Sequence, residues 1–417
     1  MRLLSVCCYL AVLAACLGIA SCGNRIADTS WYATDCSQDI QSGQGLGIQA
    51  IPDELQNYRQ LYCKYTEIGA PNGKPIRIFA QNEISNEQLL YARSLLEFYL
   101  EDFPGSRYGS DKSDIANAIA NNGAVLSMLN GHDGEFELQY DTGIIGQPLY
   151  EDETPTIGSR AYIDNDFERR DAAFEEILHF VHDAGIGVDF PGAMQGAAPE
   201  FQRHIRAAAT NGLPENKGLW ADDRRAEDWL EELRLEGSIT QEYLAAVIDS
   251  YYGLWGAFTE APGGMWGMYV AKTRDEIATD DPMGYEVVRM FFGPYLTFPA
   301  RVDPGFSGTF LMNFDAAYLY THKSQYLVNV SLLGANDAGI EANDQDNLLA
   351  GNQGNNRIDA RGGTDTVAFS GEFENYEIVV IDSEIQVADS RGIDATDRLL
   401  NVEFLQFADR RVPVSDL

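Results

Sequence analysis

Residues 343–369 read NDQDNLLAGNQGNNRIDARGGTDTVAF, and the spacing of their aliphatic side chains decides how the last fifth of the chain folds. Leu348, Ile358 and Val367 stand ten and nine residues apart. The intervals are filled by Gly, Asn and Asp, which accept tight turns because they lack a Cβ or bond their own backbone. One aliphatic per short turn, repeated, describes strands that stack around a narrow core. From residue 334 onward there are 17 Asp and Glu against 6 Arg, so the turns are acidic.

This pattern resembles the RTX, or hemolysin-type, calcium repeat, and residues 364–412 resemble the capping segment that ends such arrays in secreted bacterial proteins, serralysin-type proteases among them. The resemblance implies a small all-β roll over 334–417 in which backbone carbonyls and Asp side chains meet around Ca²⁺, with Asp346, Asp359 and Asp365 near the ion. Asn352, Asn356 and Arg361 stand where the repeat wants Gly or Asp, and about two turns are recognisable.

Upstream, residues 71–333 mix strand and helix signals, which makes the fold class α+β. KPIRIFA (74–80) reads as a strand. In SNEQLLYARSLLEFYLEDFPG, Ser85 and Gln88 form a capping box, Leu89, Leu96, Tyr99 and Phe103 trace one face, and Pro104-Gly105 ends the helix. Residues 123–131, 135–147 and 158–163 are three strand candidates. DDRRAEDWLEELRLEG is a helix burying Ala226, Trp229, Leu230 and Leu233 and ending at Gly237. Ser238 and Gln241 suggest a second capping box for the helix that follows. The Gly- and Trp-rich stretch 253–269 reads as a packed loop or a cleft wall.

The chemistry concentrates in FEEILHFVHD (174–183). Phe174, Ile177, Leu178 and Val181 form an apolar stripe, and Glu175, Glu176, His179, His182 and Asp183 share the other face, with Gly185 as a stop. The stretch resembles the zincin helix His-Glu-x-x-His with Glu175 in place of the first His. That resemblance implies a zincin-like metallopeptidase core, in which Glu176 is the catalytic base and Glu175 and His179 hold Zn²⁺ or another divalent transition metal. Glu-Tyr-x-Ala at 242–245 resembles the gluzincin third ligand and nominates Glu242, with His182 as a substitute ligand. His132 and His204 read as surface residues, and His322 as structural. A peptide or protein substrate follows from a live site. A catalytically dead fold and a calcium-dependent surface binding protein are the other two readings left open.

The chain opens with an apolar run ending Ile19-Ala20-Ser21-Cys22, which resembles a lipoprotein signal. Residues 1–21 are therefore expected to be removed and Cys22 lipidated, anchoring the protein to a membrane of the bacterial envelope, with the outer membrane favoured by Gly23. Cys36 and Cys63 are then the thiols that remain. In an oxidising compartment they are expected to pair and staple residues 22–70. A formal charge of −35 without a basic stretch excludes nucleic acid as a partner.

Overall fold

The alternation in Pro75–Ala80 produces a central strand, in which Ile76 and Ile78 are buried against helices and Phe79 faces a tyrosine cluster on the other side. In the computed structural model, which describes residues 35–133, 143–167, 170–190, 192–313 and 323–417, this strand belongs to a five-stranded sheet. Helix α1 (Ser37–Gly43) is followed by β1 (Gln49–Ala50), β2 (Lys64–Gly69) and β3 (Pro75–Ala80). Two further strands, β4 (Val125–Leu129) and β5 (Gly146–Tyr150), complete the order β1-β2-β3-β4-β5. The first two pairings are antiparallel and the last two parallel. Cys36 and Cys63 form a disulfide with Cα atoms 5.8 Å apart. Because β1 and β2 pair within this sheet, residues 49–69 are part of the core and not of a separate stapled segment.

Helix α2 (Asn86–Leu100) has the expected capping box, with Ser85 accepting from the Gln88 amide and Gln88 reaching back to the Ser85 amide. It ends at Leu100, before Phe103, because Glu101 turns to extended backbone. After α3 (Ser113–Asn122) and β4, residues 158–163 were expected as a strand, but Arg160–Ile163 form the one-turn helix α4. The candidate at 135–147 falls largely on residues outside those described, and its end forms the start of β5.

Helix α5 (Ala173–Val181) carries the FEEILHFVHD motif and runs on into a π turn, His182–Ile186. The stop is Gly187, at φ +102°, and not Gly185, which lies inside the π turn where a Cβ would come within 2.7 Å of Ile115. Beyond it lie α6 (Pro199–Gly212), α7 (Arg224–Glu236), α8 (Ile239–Tyr251), α9 (Arg274–Asp280) and α10 (Pro282–Arg289). The apolar stripe expected on α7 is buried, and Gly237 caps its end in the left-handed region. The second capping box does not form. Ser238 has φ −94° and ψ 1° and its side chain makes no cap bond, whereas a capping residue needs extended backbone to aim its oxygen at the helix amides. Every residue from Gln241 to Tyr251 is buried, so α8 is the central helix of the molecule.

One chain of contacts holds α5 in place. Lys112, only 2% exposed, donates from Nζ to the Tyr99 carbonyl at 3.0 Å and lies 4.5 Å from the Phe291 ring centroid. Tyr99 in turn donates its hydroxyl proton to the Phe174 carbonyl at 2.8 Å. Burial pushes the Lys112 ammonium down to about 7, and Glu101 and Asp102 oppose the shift.

The C-terminal part is a two-sheet roll. Strands β6 (Ala300–Val302), β8 (Asn329–Leu332), β10 (Leu348–Ala350), β12 (Thr366–Ala368) and β16 (Phe404–Gln406) stack in parallel, and β17 (Arg411–Pro413) closes that sheet antiparallel. Strands β7 (Gly308–Leu311), β9 (Ala338–Glu341), β11 (Arg357–Asp359) and β15 (Thr396–Leu400) form the facing parallel stack, ended by the hairpin β13 (Tyr376–Ile381) and β14 (Glu384–Asp389). The roll therefore begins near residue 300 and not at 334, and it has more turns than the recognisable repeats. Val330, Ile340, Leu349, Ile358 and Val367 fill its interior. Leu349 takes the position assigned to Leu348, which is 45% exposed. One hydrophobic core runs without a break from the helices into the roll.

Candidate metal centre

Charged and imidazole groups on one face of an amphipathic helix are ordinarily solvated, and on α5 they are not. Instead Glu175, His179 and His182 are all buried, because α8 packs across that face while the Phe174, Ile177, Leu178 and Val181 stripe packs on the other. Glu242 lies in the first turn of α8, where the helix dipole favours a carboxylate, and is 1% exposed. The packing brings Glu242 Oε1 to 3.7 Å from His179 Nε2. One ligand atom from each of Glu175, His179 and Glu242 lies within 4.8 Å of the others. Sixty-three residues of sequence separate His179 from Glu242, so this convergence is tertiary.

Two features of His179 suit a ligand. Its Nε2 is buried with no hydrogen-bond partner among the described residues, which is a costly state for a polar atom unless something binds it. Burial, aided by His182 and Arg170, lowers its pKa to about 3, against a hydrogen bond to the Gln241 backbone, so the ring is neutral and carries a free lone pair. Two bonds of about 2.0–2.1 Å at a tetrahedral angle span roughly 3.4 Å, close to the His179–Glu242 separation. The geometry thus fits a divalent ion without large rearrangement.

Glu176 sits at the edge of this group. Its side chain is 18% exposed against 4%, 8% and 2% for Glu175, His179 and Glu242. It accepts from Gln147 Nε2 on β5 at 2.5 Å and lies 3.8 Å from His179 Nδ1. Burial raises its pKa well above the usual range, with Glu153 and Glu242 adding to the effect, and burial likewise takes Glu242 up to about 8. Such shifts are what burial does to carboxyls, Arg170 opposes both, and a bound cation would oppose them further. Gln147 and Asp183 also line a cleft of about 120 Å³ whose walls include Ile145, Phe180, Val188, Phe190 and Met194.

His182 is not part of the centre. It is fully buried one turn further on, with Nε2 2.6 Å from Gln202 Oε1, and Gln202 donates in turn to Asp189 at 2.8 Å. His132 is exposed and His204 half-buried 5.7 Å from the Tyr108 ring. His322 and Cys22 lie outside the described residues.

Arg170 was missed in the sequence. It ion-pairs with Glu175, and its Nη1 lies 3.2 Å from Asp249 Oδ2. Trp255 and Trp266, from the stretch 253–269, flank its guanidinium at 5.6 and 4.7 Å, so that stretch walls this side of the centre. Three residues before α5, with a partner 79 residues away, Arg170 gives no local signal.

The expected calcium ligands each accept hydrogen bonds from protein N–H groups. Asp346 accepts from the Thr364 amide at 2.8 Å, Asp365 from the Asn347 amide at 2.7 Å, and Asp359 from Arg361 and Asn401. Among the described residues, Glu175, His179 and Glu242 are the group of three such side chains able to share an ion. In the roll, amides do the linking. Asn343 donates to the Leu327 carbonyl at 2.7 Å, Asn352 to the Leu333 and Asn336 carbonyls at 3.0 Å, and Asn356 to the Ala338 carbonyl at 3.1 Å. Their oxygens accept from the Gln345, Gly354 and Asn352 amides. Asn352 and Asn356, which depart from the repeat, thus link neighbouring turns of the roll through their side-chain amides.

No protein-family profile and no curated protein matches the chain. Among solved structures, the extracellular lipase LipA from Serratia marcescens aligns at 10% identity over 88% of this chain, with a TM-score of 0.17. At that score the similarity carries no argument, and the chain spans 61% of the lipase's length. Among the described residues no helix is long and apolar enough to cross a membrane.

Proposed function

We propose that the protein is a metal-dependent hydrolase of the zincin kind, acting on peptide bonds and held at the bacterial envelope by a lipid on Cys22. The observation that carries the reading is the buried, unpartnered His179 Nε2 facing Glu242 across 3.7 Å, with Glu175 completing the group. Glu175, His179 and Glu242 would hold the ion, and the oxygen-and-nitrogen donor set suits Zn²⁺ and neighbouring transition metals. The ion would supply Lewis-acid activation of a carbonyl. Glu176, at the more open edge of the group, would take a proton from an attacking water, and the hydrogen bond from Gln147 would orient its carboxyl. The roll has an architectural role in this reading, since protein groups close its turns.

Metal analysis of the purified chain, with His179→Ala, Glu242→Gln and Glu176→Gln alongside, tests the proposal. The first two variants are expected to lose bound metal. The third is expected to keep metal and lose hydrolysis of an unstructured protein such as casein. Wild-type protein that binds no divalent ion would remove the enzymatic reading and leave a scaffold, which the Arg170–Glu175 ion pair then explains.

A further inference from the structure

Glu175 stands where the related motif has a neutral imidazole, and it brings a negative charge to a centre that already has one in Glu242. Two carboxylates and one imidazole cancel the charge of a divalent ion, whereas two imidazoles and one carboxylate leave it at +1. That difference governs how strongly the ion attracts electrons. Arg170 lies against the substituted ligand: it ion-pairs with Glu175 and is otherwise fixed by Asp249, 3.2 Å from Nη1, and by the rings of Trp266 and Trp255. Asp249 is itself held by Trp255, whose Nε1 donates at 3.1 Å. Trp266 adopts φ +54° next to Met265 at φ +49°, two consecutive non-glycine residues in the strained left-handed region. The surroundings thus keep a guanidinium at this one ligand.

We infer that the Glu175–Arg170 pair serves as a charge-neutral replacement for the missing imidazole, and that Arg170, drawing on the same carboxylate as the ion, limits how tightly the centre binds it. The inference rests on the reading of Glu175, His179 and Glu242 as a metal site. Arg170 is a positioning residue, since it acts through Glu175.

The experiment is Zn²⁺ and Co²⁺ titration of the full chain in three forms, wild type, Arg170→Gln and Arg170→Lys. Arg170→Gln keeps a donor near Glu175 and removes the charge. It is expected to bind both ions at least roughly tenfold more tightly, the effect of one unit charge about 5 Å from a divalent ion even at the dielectric constant of water. Arg170→Lys keeps the charge and is expected to stay near wild type. A merely structural arginine predicts the opposite, weaker binding in both variants, and that result overturns the inference while leaving the metal site intact. If wild type binds no ion but Arg170→Gln does, the inference stands and the enzymatic proposal falls. If neither binds, both fall together.

Discussion

Replacing Lys112 by Met should change the pH dependence of stability by a calculable amount. The ammonium is buried between the end of α2 and Phe291, and its pKa falls from 10.5 to about 7 on folding. A lysine with a lowered folded pKa binds its proton more tightly in the unfolded chain. The penalty is therefore full below about pH 7 and fades as pH rises toward 10.5, so stability from this group increases with pH across that window. With those two values the penalty is about 4 kcal/mol at pH 7 and about 2 kcal/mol at pH 9. Other buried groups titrate nearby, among them Glu242 and Asp171, and they are common to both proteins. The quantity to measure is therefore the wild-type minus Lys112→Met difference in unfolding free energy, by urea titration at pH 7 and pH 9. The reasoning expects that difference to move in favour of wild type by about 2 kcal/mol between the two pH values. A difference that stays constant within error would refute it, and would mean that the amine keeps an ordinary pKa inside the fold.

Three further outcomes are expected. Reducing the Cys36–Cys63 bridge, or replacing both residues by Ser, should cost about 3.5 kcal/mol in urea unfolding from the loop it closes, and an unchanged midpoint would contradict the loop argument. Leu349→Ala should cost about 2–5 kcal/mol because Leu349 fills the roll, whereas Leu348→Ala should cost under about 1 kcal/mol, and equal losses would overturn the register. Thermal melts with and without added millimolar Ca²⁺ should superimpose, while Asn356→Ala should lower stability by about 1–3 kcal/mol by stranding the Ala338 carbonyl and Asn352 amide; a calcium-dependent rise in melting temperature would restore the ion-bound reading.

What could be read in the sequence follows the range of the interactions involved. The α2 capping box and the α7 stripe with its terminal glycine are local, and both were legible. The approach of Glu242 to His179 was legible only through a resemblance, because nothing in either segment specifies the other. Ser238 failed as a cap because its backbone angles are set by the packing of α8, which a four-residue pattern does not contain. Leu348 and Leu349 are adjacent and point to opposite faces of a strand, so composition cannot choose between them. The first turns of the roll, from Ala300 to Leu332, lack the glycine and aspartate signature and were assigned to the preceding domain. Arg170 was invisible because its meaning lies in two carboxylates and two indoles, only one of them nearby in sequence.

The direction of the strands at the two ends of the roll has a consequence for the protein at high concentration. A parallel stack is open at both ends, and each end offers unpaired backbone groups on which another copy could continue the same stack, making a fibre. Here one end is closed by the helical domain: Arg301 of β6 bonds Glu87 of α2 at 2.7 Å, and the hydrophobic core passes through the junction. At the other end the chain reverses: β17 pairs antiparallel to β16 and closes one sheet, and β14 pairs antiparallel to β15 in the other, where the edge strand β13 turns back to the direction of the stack. A second molecule docking there would meet a strand of opposite polarity along β17, and along β13 an edge strand that carries the exposed Glu377, Val379 and Ile381. In the sheet that β17 ends, the last residues of the chain thus act as a chain terminator in the polymer sense, and a protein shortened to residue 369 would lose that cap.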